Sequence, residues 1–188
     1  MWHVKLKKRI WSDEAIEISK PPIVVSAVLI PVGFNPETNR DEILMTKRTH
    51  TVFTHKGQVG FPGGLWEEFD KDLLETAFRE AFEEVGLKRE DVELLGRLSP
   101  VSTQQNNILI YPWVGRVEFP YPFVLSTHEV DRLIYFPVEK LLTEGLKEIE
   151  VNIQGMKIPS IGTTIDGELI WGASARILYE LRNHLLEE

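Results

Sequence analysis

Three glutamates, Glu80, Glu83 and Glu84, stand at i, i+3 and i+4 in a stretch whose apolar residues repeat with helical spacing. At ~100° per residue they share one side of that helix. Like charges at i,i+4 cost a few tenths of a kcal/mol even in water. Arg79 offers one counter-charge, in reach of Glu83 at i+4 and of Glu75 at i−4, which does not neutralise three acids. A hard divalent cation does: Mg²⁺ takes carboxylate oxygens, keeps several waters and bridges to phosphate oxygens. A solvated acidic face is the competing reading. The segment Phe61-Pro62-Gly63-Gly64 just upstream weighs against it, because glycine lets backbone amides and carbonyls approach the same cation and phosphates closely.

Other chemistries are excluded by composition. The 188 residues contain no cysteine, so a disulfide framework, a thiol nucleophile and cysteine-type zinc or iron–sulfur sites are ruled out. The histidines His3, His50, His55, His128 and His184 show none of the spacings that bind zinc. Twenty-nine acidic against 21 basic residues give a net charge of −8, which argues against nucleic acid as a partner. No apolar run approaches the ~18 residues of a spanning helix, and no signal-peptide pattern opens the chain. No membrane association and a cytoplasmic location are therefore expected.

The acids need a helix to carry them, and the pattern supplies one over residues 72–85. Leu74, Ala77, Phe78, Ala81, Phe82 and Val85 form its apolar stripe, with the three glutamates placed opposite. Asp72 with Glu75 three residues on resembles a capping box, and Gly86 is a stop. Residues 24–31 and 42–48 read as strands around a turn-rich loop at 33–41. Residues 49–65 hold too much glycine and proline for more than a short strand. Shorter strands are expected at 92–95, 97–101, 108–117 and 148–153. A final helix at 173–186 carries Ala175, Ile177, Leu178, Leu181 and Leu185 on its apolar side. Pro21-Pro22 sets an N-terminal extension, 1–22, apart from a single domain, 23–188. One mixed sheet covered by helices is the simplest packing, an α/β fold.

The run Arg79-Glu80-Ala81-Phe82-Glu83-Glu84-Val85-Gly86-Leu87 resembles the end of the Nudix box, here about residues 64–87. Asp70 falls where that box has its first glutamate, the gap to Arg79 is one residue longer, and Ala81 replaces a bulky aliphatic residue. These departures, with Asp72 and Thr76-Ala77, are similar to the coenzyme A pyrophosphatase branch. That branch carries a signature upstream, which Leu44-Met45-Thr46-Lys47-Arg48-Thr49, Gly57 and Phe61-Pro62-Gly63-Gly64 follow in register. Met45, Thr49 and Phe53 are substitutions, and Phe53 stands where the branch has an arginine able to contact phosphates.

The resemblance implies a Nudix-like α/β/α sandwich with a mixed sheet, and a pyrophosphohydrolase dependent on Mg²⁺ or Mn²⁺. Its substrate would be a small nucleotide, coenzyme A or a thioester of it, cleaved to 4′-phosphopantetheine (or its acyl derivative) and 3′,5′-ADP. Glu80, Glu83 and Glu84 would ligate the metal. Glu83 alternatively holds the attacking water, Arg79 orients a glutamate, and Glu129 is the distal candidate for general base, an ordinary loop acid being the other reading. Arg48, His55, Lys56, Gly63 and Gly64 would contact substrate. Other nucleoside diphosphate derivatives (ADP-ribose, NADH, dinucleoside polyphosphates, oxidised nucleotides) are the alternative. A non-catalytic ligand-binding module is a third reading, opposed by the intact acids. Oligomeric state stays open, a homodimer included.

Overall fold

The computed structural model describes residues 24–49, 57–103, 107–153 and 155–186. The extension 1–22 lies outside them, as do His50, Phe53, His55 and Lys56. In chain order the elements are β1 (Val24–Asn35), β2 (Arg40–Arg48), β3 (Val59–Gly60), β4 (Gly63–Leu65) and α1 (Leu73–Val85). Then follow a 3₁₀ turn (Arg89–Asp91), β5 (Glu93–Arg97), β6 (Val101–Ser102), β7 (Ile108–Arg116), β8 (Val130–Pro137) and α2 (Val138–Thr143). The chain closes with β9 (Lys147–Ile153), β10 (Met156–Ile165), β11 (Glu168–Trp171) and α3 (Gly172–Leu186).

Strand β1 is central because it is buried on both faces, which is why its sequence is a nearly unbroken apolar run. It pairs parallel to β7 and antiparallel to β2 and β4, while β2 carries β3 and β8 and β7 carries β5 and β6. Side chains alternate across this mixed sheet. Ala27, Leu29 and Leu44 pack with Leu73, Ala77, Phe78, Ala81 and Val85 of α1. Val28, Ile30, Val32, Ile43 and Met45 pack with Val138 and Leu141 of α2 and with Ile177, Leu178, Leu181 and Leu185 of α3. The result is the α/β/α sandwich.

The strand expected at 97–101 does not form, since β5 ends at Arg97 and β6 begins at Val101, and residues 57–65 hold two short strands instead of one. Three further expectations need correction. The segment 33–41 is not a loop throughout: β1 runs on to Asn35 and β2 begins at Arg40. Its polar residues close on themselves, since the fully buried Glu42 carboxylate accepts bonds from Asn35 Nδ2 (2.7 Å), Thr38 Oγ1 (3.0 Å) and Arg40 Nε (2.8 Å). A second antiparallel sheet, β9–β10–β11, stands beside the first, where a single sheet was expected. The third correction concerns α1. Its ends are as expected, with the Asp72 carboxylate accepting from Glu75 N–H (2.8 Å) and Gly86 closing the helix at φ 69°. Its buried stripe is rotated, however. Leu73, Thr76 and Glu84 are buried, Leu74 is half-buried, and Phe82 is 56% exposed. At ~100° per residue Glu84 projects between Leu73 and Ala77, inside the arc that meets the sheet, and Phe82 falls beyond it.

Candidate active site

The glycines of β4 bring the helix and the sheet together. A Cβ on Gly63 would lie 2.4 Å from the Ala27 carbonyl oxygen and 2.6 Å from Val28 Cα, so only glycine pairs with β1 there. A Cβ on Gly64 would fall 2.3 Å from Glu80 Oε1, in the place the carboxylate occupies. Phe61-Pro62-Gly63-Gly64 thus reads as a demand for space: one glycine for the strand, the next for the acid.

Arg79 organises the outer half of the site. Its Nε and Nη2 donate to the two oxygens of Asp70 (2.8 and 2.9 Å), a bidentate pair of the strong kind. Nη1 reaches Glu80 Oε1 (2.8 Å) and Glu83 Oε2 (3.3 Å), and Nη2 also donates to the Leu65 carbonyl (3.1 Å). The expected pairing with Glu75 does not occur; Arg89 takes Glu75 at 2.7 Å. Asp70 itself is buried and also accepts from Thr76 Oγ1 (2.9 Å) and Glu67 N–H (3.1 Å). The hydrogen bond from Arg79 holds its carboxyl below the usual range. Asp70 is the positioning residue that sequence reasoning noticed without giving it a role. Its signal was the Asp70, Thr76, Arg79 spacing.

Glu84 defines the inner half. Only 1% of its side chain is exposed, and it accepts from Arg48 Nη1 (2.9 Å) and from Gly63 N–H (3.3 Å). Burial pushes its pKa up to about 7; Arg48 opposes this, and the charges of Glu80 and Glu129 add to it. Glu80 is raised for the same first reason, burial, against the pull of Arg79. Glu83 is more open, with 56% of its side chain exposed. Glu129 sits at the end of a turn before β8. Its field reaches both Glu80 and Glu84, so the fold does bring this distal acid to the cluster. Its backbone is fixed by Thr49 N–H, which donates to its carbonyl (2.9 Å).

Arg48, Gly63 and Gly64 therefore join Glu80, Glu83, Glu84, Arg79 and Glu129 in one region. His55 and Lys56, expected to contact substrate, lie outside the described residues. Among the described residues no three acidic or histidine side chains converge tightly enough to hold an ion, and Arg48 and Arg79 pair with Glu84 and Glu80. The donor set still suits a hard cation. A buried carboxylate, Glu84, and a half-buried one, Glu80, carry raised proton affinities that a double positive charge relieves, and a third acid, Glu83, stands on the same helix. The Gly64 carbonyl, one candidate to complete the set, already accepts from Ser26 Oγ (2.7 Å) and lies opposite Ala27 in the β1–β4 ladder.

The family model for the NUDIX domain matches residues 25–153. The uncharacterized Nudix hydrolase NudL of Photorhabdus laumondii subsp. laumondii is 33% identical over 161 residues, 83% of this chain and 82% of that protein. The protein of the same name from Yersinia pestis is 32% identical over 157 residues, 83% and 77% of the two chains. The chain belongs to the Nudix family, whose hydrolases act on pyrophosphate bonds and generally use divalent metal ions. Among solved structures, a MutT/nudix family protein from Enterococcus faecalis superposes with a TM-score of 0.61 at 14% identity, over 93% of this chain and 65% of that one. An Ap4A hydrolase binary complex from C. elegans gives 0.54 at 17%, over 65% and 86%. These two likenesses concern the fold.

Proposed function

We propose that this chain is a metal-dependent pyrophosphohydrolase that cleaves coenzyme A or its thioesters to 4′-phosphopantetheine, or its acyl derivative, and 3′,5′-ADP. The observation that carries the catalytic half is Glu84: a carboxylate 1% exposed, raised to about 7, beside a second raised carboxylate and under a glycine strand. The substrate half is supported by the register of the segment from Leu44 to Gly64 with the coenzyme A pyrophosphatase signature.

Glu80 and Glu84 would hold Mg²⁺ or Mn²⁺, with Glu83 as a further ligand. When bound, such an ion supplies charge neutralisation and lowers the pKa of a coordinated water. Arg79, locked by Asp70, keeps Glu80 and Glu83 from swinging away. Glu129, or Glu83, accepts the proton of the attacking water. The Gly63 N–H, 3.3 Å from Glu84, holds the inner carboxylate against the strand.

The test is mass spectrometry of products after incubation with coenzyme A and Mg²⁺ or Mn²⁺. Appearance of 4′-phosphopantetheine and 3′,5′-ADP supports the reading, and undiminished turnover in EDTA overturns the mechanism. Phe53, standing where the branch has an arginine, favours a second reading: a Nudix hydrolase of another nucleoside diphosphate derivative. Kinetics on coenzyme A, its 3′-dephospho form and ADP-ribose separate the two. A retained charge-assisted contact to the 3′-phosphate is worth ~1.5–3 kcal/mol, roughly tenfold to a hundredfold. ADP-ribose turned over far better than either would remove the coenzyme A reading.

A further inference from the structure

The two arginines of the site are held very differently. Arg79 spends its donors on Asp70, Glu80, Glu83 and the Leu65 carbonyl. Among the described residues, Arg48 makes one side-chain bond, from Nη1 to Glu84 Oε1 at 2.9 Å, and its buried Nε has no partner. Its backbone is fixed, since Arg48 N–H donates to the Gln58 carbonyl (2.9 Å) and the β2–β8 register shifts between Lys47 and Arg48. The anchored backbone carries a guanidinium that is only singly tied. An unpaired donor in such a place marks a group whose partners are incomplete.

We propose that Arg48 is the chain's own stand-in for the divalent cation at Glu84. A buried carboxylate stays ionised only with a counter-charge, and among the described residues Arg48 and the Gly63 N–H balance Glu84 against Glu80 and Glu129. The guanidinium supplies that charge when no ion is bound. It yields Glu84 as an ion arrives, because both positive groups compete for the same carboxylate. Released, its planar fork of donors, the orphaned Nε included, is free for the phosphates of the substrate, the geometry guanidinium groups match best. Arg48 is then a positioning residue that makes cation binding precede substrate binding. The proposal rests on the reading of Glu84 as a metal ligand.

The experiment measures Mn²⁺ binding to the full chain without substrate, by calorimetry or by the electron paramagnetic resonance of free Mn²⁺. Arg48→Gln removes the competitor and should tighten Mn²⁺ by about tenfold to a hundredfold, the weight of a charge-assisted hydrogen bond. Arg48→Lys, which keeps the charge, should stay near the wild type. In the Glu84→Gln background the Arg48→Gln change should have less than about a twofold effect, since coupled residues lose their interaction together. With Mn²⁺ saturating, Arg48→Gln should raise KM for the substrate more than it lowers kcat. Unchanged or weaker Mn²⁺ binding in Arg48→Gln, or an equal effect in both backgrounds, overturns the proposal. Where Arg48→Gln alone does not fold, Arg48→Lys and the double variant decide: equal affinity in the double variant and Glu84→Gln supports the coupling, and a difference above tenfold refutes it. Glu84→Gln binding Mn²⁺ as tightly as the wild type refutes the metal reading itself, and with it any ion for Arg48 to replace.

Discussion

Glu84 holds a carboxyl in a place water barely reaches, and its proton equilibrium reports on the whole cluster. Its folded pKa of about 7 stands above the ordinary 4.5, so between those values the folded chain binds more protons than the unfolded one. Stability therefore falls as pH rises from about 4.5 to about 7, with the loss complete above, by up to about 3 kcal/mol. Urea melts in EDTA at pH 5 and pH 8 should show this slope in the wild type and lose most of it in Glu84→Gln. A slope identical in both would place the titration elsewhere. The same substitution should cost several orders of magnitude in turnover while the fold persists. Asp70→Asn acts differently, removing the bidentate anchor of Arg79 without touching the inner acid. We expect about 1.5–3 kcal/mol lost in thermal melts and reduced turnover.

The elements that hold these residues differ in what they tolerate, and the two glycines of β4 separate fold from chemistry. In Gly63→Ala the new methyl meets the backbone of β1, which cannot yield, so destabilisation of about 3 kcal/mol or more is expected in melts. In Gly64→Ala it meets the end of the Glu80 side chain, which can give way where a backbone cannot, at the cost of its bond to Arg79. That variant should keep most of its stability and lose turnover; the reverse ranking would contradict the geometry. Helix α1 was legible end to end, because its cap, its period and its terminal glycine are all local signals. Its buried face was legible at Ala77, Phe78, Ala81 and Val85 but not at its edges, since Phe82 looks like core and Glu84 like surface until β4 is laid beside them. Helix α3 read correctly in every buried residue, while β10 and β11, with Lys157, Pro159, Ser160 and Thr163 among them, carry too weak an alternation to announce a sheet of their own. Asp70 escaped a role because its partners, Thr76 and Arg79, come into contact only once the loop before α1 folds back.

Across the whole molecule, the chain carries a charge of −8 and the proposed substrate is itself anionic, so divalent cations should matter to stability as well as to rate. An ion at about a hundred times its dissociation constant adds about 2.7 kcal/mol. The melting temperature should rise with millimolar Mg²⁺ or Mn²⁺ in the wild type and stay put in a Glu80→Gln/Glu84→Gln double variant; a wild type indifferent to both ions would count against the site. The parallel ladder of β1 and β7, which pairs Val24 with Ile108, bears on how the molecule is made. It closes a loop containing β2, both glycines of β4, all of α1 and therefore every acid of the box. Such long-range closures are slow, and they must be formed before distant contacts repay them. The repelling glutamates and their arginines thus converge late, on a sheet already assembled. Cations that bind there should leave the refolding limb of a chevron almost unmoved and slow the unfolding limb, giving the native enzyme a longer lifetime without a faster birth.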